Sequence, residues 1–299
     1  MNRSPEFIAC GVLGRDEDAV YIENDEGQRV YLSEQIWEGY LAHWLGWRVR
    51  VHRLPQHDYE SGAPILLLAP DEPVPPPPYI DLYYNERLPG YLTSLFGHLA
   101  INVDGNVFSF SKTLNENEEM SLDEYLYRPA LGEFSGHPES LRFNVNDAER
   151  PYYDKFGRRF MRTIHTLCIQ GLDTTHLTGL LRTEITMIHE TPVDPRFPHE
   201  YRDFHNLSRS CTTIIRDALR KVGLRKLSGL LPRELFLNAA YQGTRPGRNA
   251  RLTVHASRLG QLKVPERAYS RPSPILNPMN RLRRARLHGV PGAVAILER

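Results

Sequence analysis

The sequence predicts an α+β protein, and three local patterns carry that prediction. Short apolar or alternating runs at residues 7–13, 19–23 and 28–32 are typical of β-strands. The pair Asp104-Gly105 joins two further strand-like runs and indicates a hairpin, because a type I′ turn needs positive φ at both central positions. Two helical apolar stripes follow, one after Asp173 or Thr174 and one after the capping residue Ser210.

Composition, proline usage and charge divide the chain further. The prolines at 75–78 favour polyproline II, which predicts a stiff spacer; the alternative is a ligand for a partner's groove. A strand-like run at Trp47–Arg53 and another at Pro64–Leu68 complete the first part, together with a short helix capped by Ser33. We therefore predict a small β-rich module (1–70), a proline-rich linker (71–78), a second domain (79–225) and a basic C-terminal extension (226–299).

The overall composition excludes several classes of protein. The 299 residues are 40% apolar and 24% charged, which is enough for the core of one large or two ordinary domains. No apolar run approaches the roughly 18 residues that span a bilayer, and residues 1–7 do not begin a secretory signal. We expect a protein that stays in the cytoplasm of the producing cell or leaves it by a signal-independent secretion system.

The charges are distributed unevenly along the chain. Residues 226–299 hold 14 basic and three acidic side chains, whereas the rest of the chain is net acidic. Two interpretations remain open: the extension packs on the acidic body, or it presents a basic surface to an anionic partner such as a membrane. Nucleic acid is not expected, because no binding motif occurs there and the only aromatics beyond residue 240 are Tyr241 and Tyr269.

Three cysteines, Cys10, Cys168 and Cys211, are too far apart for a disulfide scaffold or a thiolate zinc site, and no metal or cofactor is predicted. Cys211 falls in the first turn of its predicted helix, where free N–H groups and the helix dipole should lower the thiol pKa. That position suits a nucleophile; the alternative is a structural thiol buried on the apolar face of the helix. Cys10 and Cys168 are expected to lie in the core.

A base for such a thiolate is best sought in the predicted hairpin. With a two-residue turn, Val103 pairs with Asn106, which places Ala100 opposite Ser109 and His98 opposite Ser111. One face of the hairpin is then mostly apolar and should be buried, while the other is polar and presents His98. His98 could equally be a bystander on that polar face.

The two segments together resemble a known superfamily. Phe96-Gly97-His98-Leu99-Ala100-Ile101-Asn102-Val103-Asp104-Gly105, followed far downstream by Ser210-Cys211-Thr212-Thr213, is similar to the circularly permuted branch of the papain-like NlpC superfamily. This branch includes lecithin retinol acyltransferase-like proteins and Lnb-type lipoprotein acyltransferases. The resemblance covers residues 80–225 and implies a permuted papain-like core, an antiparallel sheet packed on a Cys-bearing helix.

The resemblance also implies roles for individual residues. Cys211 matches the nucleophile and His98 the base. The third, orienting residue of the family matches Ser111 in our register, with Ser109 as the second choice. Two departures weaken this match: serine orients an imidazole less strongly than His, Asn or an acid, and Ser210 stands where the Lnb-like pattern tends to have Asn.

The implied activity is acyl hydrolysis or acyl transfer through a thioester, with a lipid ester or a cell-wall peptide as the substrate. A bacterial antagonism effector delivered by a type VI apparatus would reconcile an envelope substrate with the absence of a signal peptide, and would have an immunity protein as a partner. The alternative is a non-catalytic binding protein on a papain-like scaffold.

Overall fold

Two antiparallel β-sheets with separate helices confirm the predicted α+β class. The computed structural model describes residues 5–17, 19–34, 38–57, 63–73, 76–89, 95–129, 159, 162–198, 200–244, 252–262 and 269–289. The chain forms two compact units. Unit 1 comprises Met1–Val74, Asp123–Met161 and Leu262–Arg267, and unit 2 comprises Pro75–Leu122, Arg162–Gln261 and Ala268–Arg299.

Unit 1 is built on a five-stranded sheet in the order β3-β2-β1-β4-β5. Its strands are β1 (Glu6–Asp16), β2 (Ala19–Glu23), β3 (Arg29–Leu32), β4 (Arg48–His57) and β5 (Pro64–Pro70), which confirms the five predicted strands. Helix α1 is described over Glu38–Trp44; residues 35–37, between it and the predicted cap Ser33, lie outside the described part of the chain. Leu13, Ile22, Trp44, Val49 and Val51 form the centre of its core.

Unit 2 contains the six-stranded sheet on which the candidate site is built. Its strand order is β11-β10-β6-β7-β8-β9, and every neighbouring pair is antiparallel. The strands are β6 (Tyr79–Asn85), β7 (His98–Val103), β8 (Asn106–Ser109), β9 (Glu118–Ser121), β10 (Ile164–Gln170) and β11 (Thr253–Leu259).

The two helices predicted from apolar stripes in unit 2 begin at the expected residues. Helix α2 (Leu122–Tyr127) follows β9, and α3 (Thr174–Glu190) begins after Asp173, whose carboxylate accepts the His176 N–H at 2.9 Å. Then come α4 (Cys211–Lys221), α5 (Pro232–Gly243), α6 (Pro278–Ala285) and two short 3₁₀ turns, Leu114–Glu116 and Arg286–Gly289. None of the described helices has the length and apolar character needed to cross a bilayer.

The core of unit 2 lies between one face of its sheet and the helices. Leu99, Ile101, Val103, Phe108 and Phe110, the predicted apolar face of the hairpin, are fully buried in one cluster with side chains of α3, α4 and α5. The opposite face was expected to be exposed, and there the prediction is wrong. Ala100, Asn102 and Ser109 are buried as well, and Asn102 donates to the Asp81 carboxylate at 2.9 Å.

Four elements were not predicted: β6, β9, β11 and α6. Strand β6 is buried along its whole length, and a strand buried on both faces shows no alternation that a sequence pattern could reveal. Strand β11 pairs with β10 along seven residues, so part of the predicted C-terminal extension is built into the sheet. Of the stretch 112–160 that was expected to be irregular, residues 130–158 and 160 are not among the described residues.

The hairpin turn has the predicted type I′ character, with φ values of 52° at Asp104 and 95° at Gly105. A side chain at Gly105 would meet no atom within 4 Å, so replacing this glycine strains the backbone without creating a clash. We expect Gly105→Val to lower the free energy of unfolding by about 1–3 kcal/mol, measured by urea titration.

Gly260 provides the matched control, because it has equal space around its Cβ position without a left-handed φ. Gly260→Val should change the free energy of unfolding by less than about 0.5 kcal/mol. Equal losses in the two variants would show that the positive φ at Gly105 carries no cost.

Candidate functional site

His98 is the first residue of β7, where the strand register fixes its neighbours. Across the sheet His98 pairs with Asn85 of β6, and the ladder with β8 begins two residues further along β7, at Ala100 and Ser109. The pairing of Val103 with Asn106 confirms the predicted register. His98 itself is half-buried, so the sheet holds its backbone at the end of the strand while part of the imidazole stays accessible.

The hydroxyl that contacts the His98 imidazole belongs to Ser109. His98 Nε2 lies 3.0 Å from Ser109 Oγ, a hydrogen bond whose direction depends on the imidazole tautomer. Ser111, expected opposite His98, lies beyond the end of β8 and is not part of the ladder. Its backbone N–H donates to Asn117 Oδ1 at 2.9 Å, and its hydroxyl accepts the Thr113 N–H at 3.3 Å.

The side chain of Asn117 explains why the ladder stops short. It accepts from Ser111 N–H and donates to the carbonyls of Ser111 and Thr113, which closes residues 111–117 into a loop. A loop closed in this way cannot continue as a strand beside β7. Ser109, the second choice from the sequence, is therefore the serine that the structure brings to His98.

Cys211 is the first residue of α4, directly after the N-cap position Ser210 as predicted. The turn is held by Thr213, whose Oγ1 accepts the Ser210 N–H at 2.8 Å. The helix is strongly one-sided, and Ile215, Ala218 and Leu219 are buried on its inner side. This packing fixes the direction in which the first turn, and therefore the Cys211 thiol, meets the sheet.

The thiol of Cys211 is nearly buried, with 8% of the residue exposed. Burial raises the pKa of the thiol, while the backbone of Leu99, the Thr212 hydroxyl and the backbone N–H groups of Thr212 and Cys211 lower it. Burial is the larger effect, so the net pKa lies above the ordinary value of a cysteine. The predicted net lowering at the helix terminus is wrong, because desolvation of the thiolate outweighs the N–H groups that would stabilise it.

The packing of α4 relates Cys211 to the strand that carries His98. Helix α4 packs on β7, and the backbone of Leu99, the residue after His98, is among the groups that lower the pKa of the Cys211 thiol. The helix that begins at Cys211 and the strand that begins at His98 are therefore packed neighbours, and Ser109 contacts the histidine.

The other two cysteines lie in less favourable surroundings for a nucleophile. Burial and the neighbouring Asp81 carboxylate raise the pKa of Cys168 to about 12. Burial and a hydrogen bond to Asp71, 3.2 Å from the sulfur, raise the pKa of Cys10. Arg48 and Arg50 lower the pKa of Cys10, but burial and Asp71 raise it more.

A second buried histidine, which sequence reasoning missed, lies on the core face of the same sheet. His165 Nε2 lies 2.9 Å from Glu86 Oε1, and the Ser270 hydroxyl donates to Glu86 Oε2 at 2.9 Å. The register aligns His165 with Tyr84 and Tyr84 with Leu99, so His165 lies two strands from β7, on the order of 10 Å away. The Tyr84 ring stacks on His165 and lies between it and Leu99.

An open groove of about 480 Å³ lies beside the segment that leads to Cys211. It is lined by Lys112 and by residues 204–207, which are Phe204, His205, Asn206 and Leu207. Its two walls continue from the site elements: Lys112 follows β8 by three residues, and residues 204–207 precede α4. The walls are joined where the Tyr201 N–H donates to the Lys112 carbonyl at 2.7 Å.

Comparison with protein-family models, with curated proteins and with solved structures finds no match to this chain. Among the described residues, no cluster of three or more His, Cys, Asp or Glu side chains has the geometry to hold a metal ion. The chemistry of the site therefore has to be argued from its own residues.

The pKa of Cys168 gives a prediction that separates it from a nucleophile. A thiol with a pKa near 12 is deprotonated in only about one molecule in a thousand at pH 9, so its alkylation should be slow. In a Cys10→Ser/Cys211→Ala background, we expect the rate with iodoacetamide to rise about tenfold per pH unit from 7 to 10, without a plateau. A plateau below pH 10 would contradict the assigned environment.

Proposed function

We propose that the protein is a cysteine-dependent acyl hydrolase or acyltransferase in which Cys211 is the nucleophile, His98 the base and Ser109 the residue that positions His98. One observation carries this proposal: α4, which begins at Cys211, packs on β7, which begins at His98. A helix that begins with a cysteine and a strand that begins with a histidine are packed neighbours, the arrangement that the resemblance to permuted papain-like enzymes implies.

The raised pKa of Cys211 determines the first step. A thiol above its ordinary pKa is protonated at neutral pH and attacks poorly, so a base is required. In the tautomer in which Nε2–H donates to Ser109 Oγ, Nδ1 of His98 is free to accept the proton of the thiol. The resulting thiolate is stabilised by the imidazolium and by the N–H groups at the start of α4.

Acyl transfer then proceeds through a thioester on Cys211. The Cys211 sulfur attacks the substrate carbonyl and the carbonyl oxygen becomes an oxyanion, stabilised by N–H groups at the helix N-terminus. As the intermediate collapses, the bond to the leaving alcohol or amine breaks, and His98 returns its proton to that group. A second acceptor, activated by His98, attacks the thioester and restores the thiol; water gives hydrolysis, and an alcohol or amine gives transfer.

The substrate class follows from the same resemblance: a lipid ester or the amide of a cell-wall peptide. We assign the substrate to the groove lined by Lys112 and residues 204–207, which precede α4 in the chain. Export by a signal-independent system and an immunity protein as a partner belong to the same proposal, the role of a bacterial antagonism effector.

Burial of Cys211 favours a second candidate function. A structural thiol is also buried in an apolar cluster, as Cys211 is with 8% of the residue exposed. In that case the core of unit 2 is a non-catalytic scaffold and the protein acts by binding a partner.

The test compares wild type with variants on two substrate pools, bacterial lipid extracts and muropeptides, with products detected by mass spectrometry. Cys211→Ala and His98→Ala should each abolish turnover, and the double variant should be no worse than either, because members of one nucleophile–base unit are strongly non-additive. Losses that multiply in the double variant would mean that the two residues act in separate steps. Turnover retained by Cys211→Ala would remove the thioester mechanism.

The two serines provide a matched pair for the positioning role. Ser109→Ala should lower kcat about tenfold by releasing the imidazole, with KM little changed, whereas Ser111→Ala should leave both constants near wild type. Because a structural role would lower the melting temperature rather than kcat, both variants are melted in parallel. A larger kcat effect from Ser111 than from Ser109 would contradict the assignment.

A further inference from the structure

The outer side of α6 exposes an unusual number of large apolar side chains. Leu276, just before the helix, and Met279 and Leu282 within it are 58%, 53% and 59% exposed. Ala285 continues this row, one turn beyond Leu282. We refer to the exposed surface made by Leu276, Met279, Arg281, Leu282, Ala285 and Arg286 as the Leu282 face.

The orientation of the helix is fixed from its inner side. Asn280 and Leu287 are buried, α6 packs on α5, and the Arg283 guanidinium lies over the Tyr241 ring at 5.6 Å. With 3.6 residues per turn, Leu282 and Ala285 then occupy the middle of the outward side, and Arg281 and Arg286 flank them. The apolar row is thus bordered by guanidinium groups on both sides.

The side chains of this segment are basic, and the Glu234 carboxylate contacts its start by accepting the Leu276 and Asn277 N–H groups. Residues 269–289 contain five arginines and no acidic residue. Arg281, Arg283 and Arg286 make hydrogen bonds only to neutral partners, namely the Ile275 carbonyl, Asn280 and Tyr241. Across the described part of the chain, none of these three has a carboxylate within ion-pair distance, unlike the paired arginines Arg182 and Arg209 of the same unit.

We propose that the Leu282 face docks on an anionic membrane surface. Leu276, Met279 and Leu282 enter the boundary between head groups and acyl chains, while Arg281 and Arg286 meet the lipid phosphates at the level of the helix. An interfacial helix combines these two features, apolar side chains on one surface and arginines beside them. Nucleic acid would satisfy the arginines alone and leave the apolar row in water, so the lipid surface fits the whole face better.

This docking is independent of the chemistry proposed at Cys211, and its test uses the full-length protein with Cys211→Ala as an additional form. Binding is measured by co-sedimentation with phosphatidylcholine vesicles that contain or lack phosphatidylglycerol. We expect wild type and Cys211→Ala to bind equally, only to the anionic vesicles, and less as salt is raised.

Matched variants separate the apolar and the charged parts of the face. Leu282→Asn should weaken vesicle binding about tenfold, and Arg281→Gln and Arg286→Gln about fivefold each. Leu230→Asn and Arg202→Gln, at exposed positions elsewhere in unit 2, should bind like wild type. A Leu282→Trp variant should show a blue-shifted emission on anionic vesicles, and Leu230→Trp should not.

Three outcomes would overturn the proposal. The first is failure of wild type to bind anionic vesicles. The second is equal binding to both kinds of vesicle, or equal losses in the control variants. The third is that wild type and Leu282→Asn both bind a single-stranded RNA and neither binds vesicles, which would assign the arginines to nucleic acid instead.

Discussion

The packing of α4 on β7 is the interaction on which the candidate site depends. It joins the helix that begins at Cys211 to the strand that begins at His98, and it exists because two long-range arrangements coincide. The ladder β6-β7-β8 holds the backbone around His98, and the apolar side of α4 packs on the same sheet. Loss of either arrangement would move the thiol away from the strand that carries the histidine.

Burial of Cys211 has two opposite consequences for catalysis. It makes the resting thiol a weak nucleophile, because desolvation raises its pKa more than the neighbouring N–H groups and the Thr212 hydroxyl lower it. It also excludes water from the place where a thioester would form, where an oxyanion is stabilised best. Ionisation of the thiol therefore depends on His98, and a base beside Cys211 matters more than it would for an exposed cysteine.

Local signals predicted the elements of this site well, since each depends on near neighbours in the sequence. Asp104-Gly105 fixed a turn, and with it the pairing of Ala100 with Ser109; Ser210 marked the start of α4. Ser111 was expected beside His98 because the strand was extended two residues too far. The loop held by the Asn117 side chain forms through contacts six residues away, which no alternation of apolar residues reveals.

Other features could not be predicted because they arise only from packing. The polar face of the hairpin is buried by its surroundings, and the direction of the Cys211 pKa follows from desolvation, which depends on the whole core. His165 and Glu86 lie 79 residues apart and meet through the pairing of β6 with β10. The exposed row of apolar side chains on α6 was not predicted, because the sequence there was interpreted only as basic.

The central claim, that His98 acts on the Cys211 thiol, is tested most directly without any substrate. In a Cys10→Ser/Cys168→Ser background, the alkylation rate of Cys211 is measured against pH for the parent, for His98→Ala and for the control His176→Ala, an exposed histidine of α3. An adjacent imidazolium favours the thiolate, so the pH midpoint of alkylation should be lower for the parent and the control than for His98→Ala. For His98→Ala the midpoint should exceed the ordinary pKa of a cysteine, because burial raises the pKa and no base opposes it. Coincident profiles for all three proteins would contradict the account, because they would show that the thiol ionises without regard to His98.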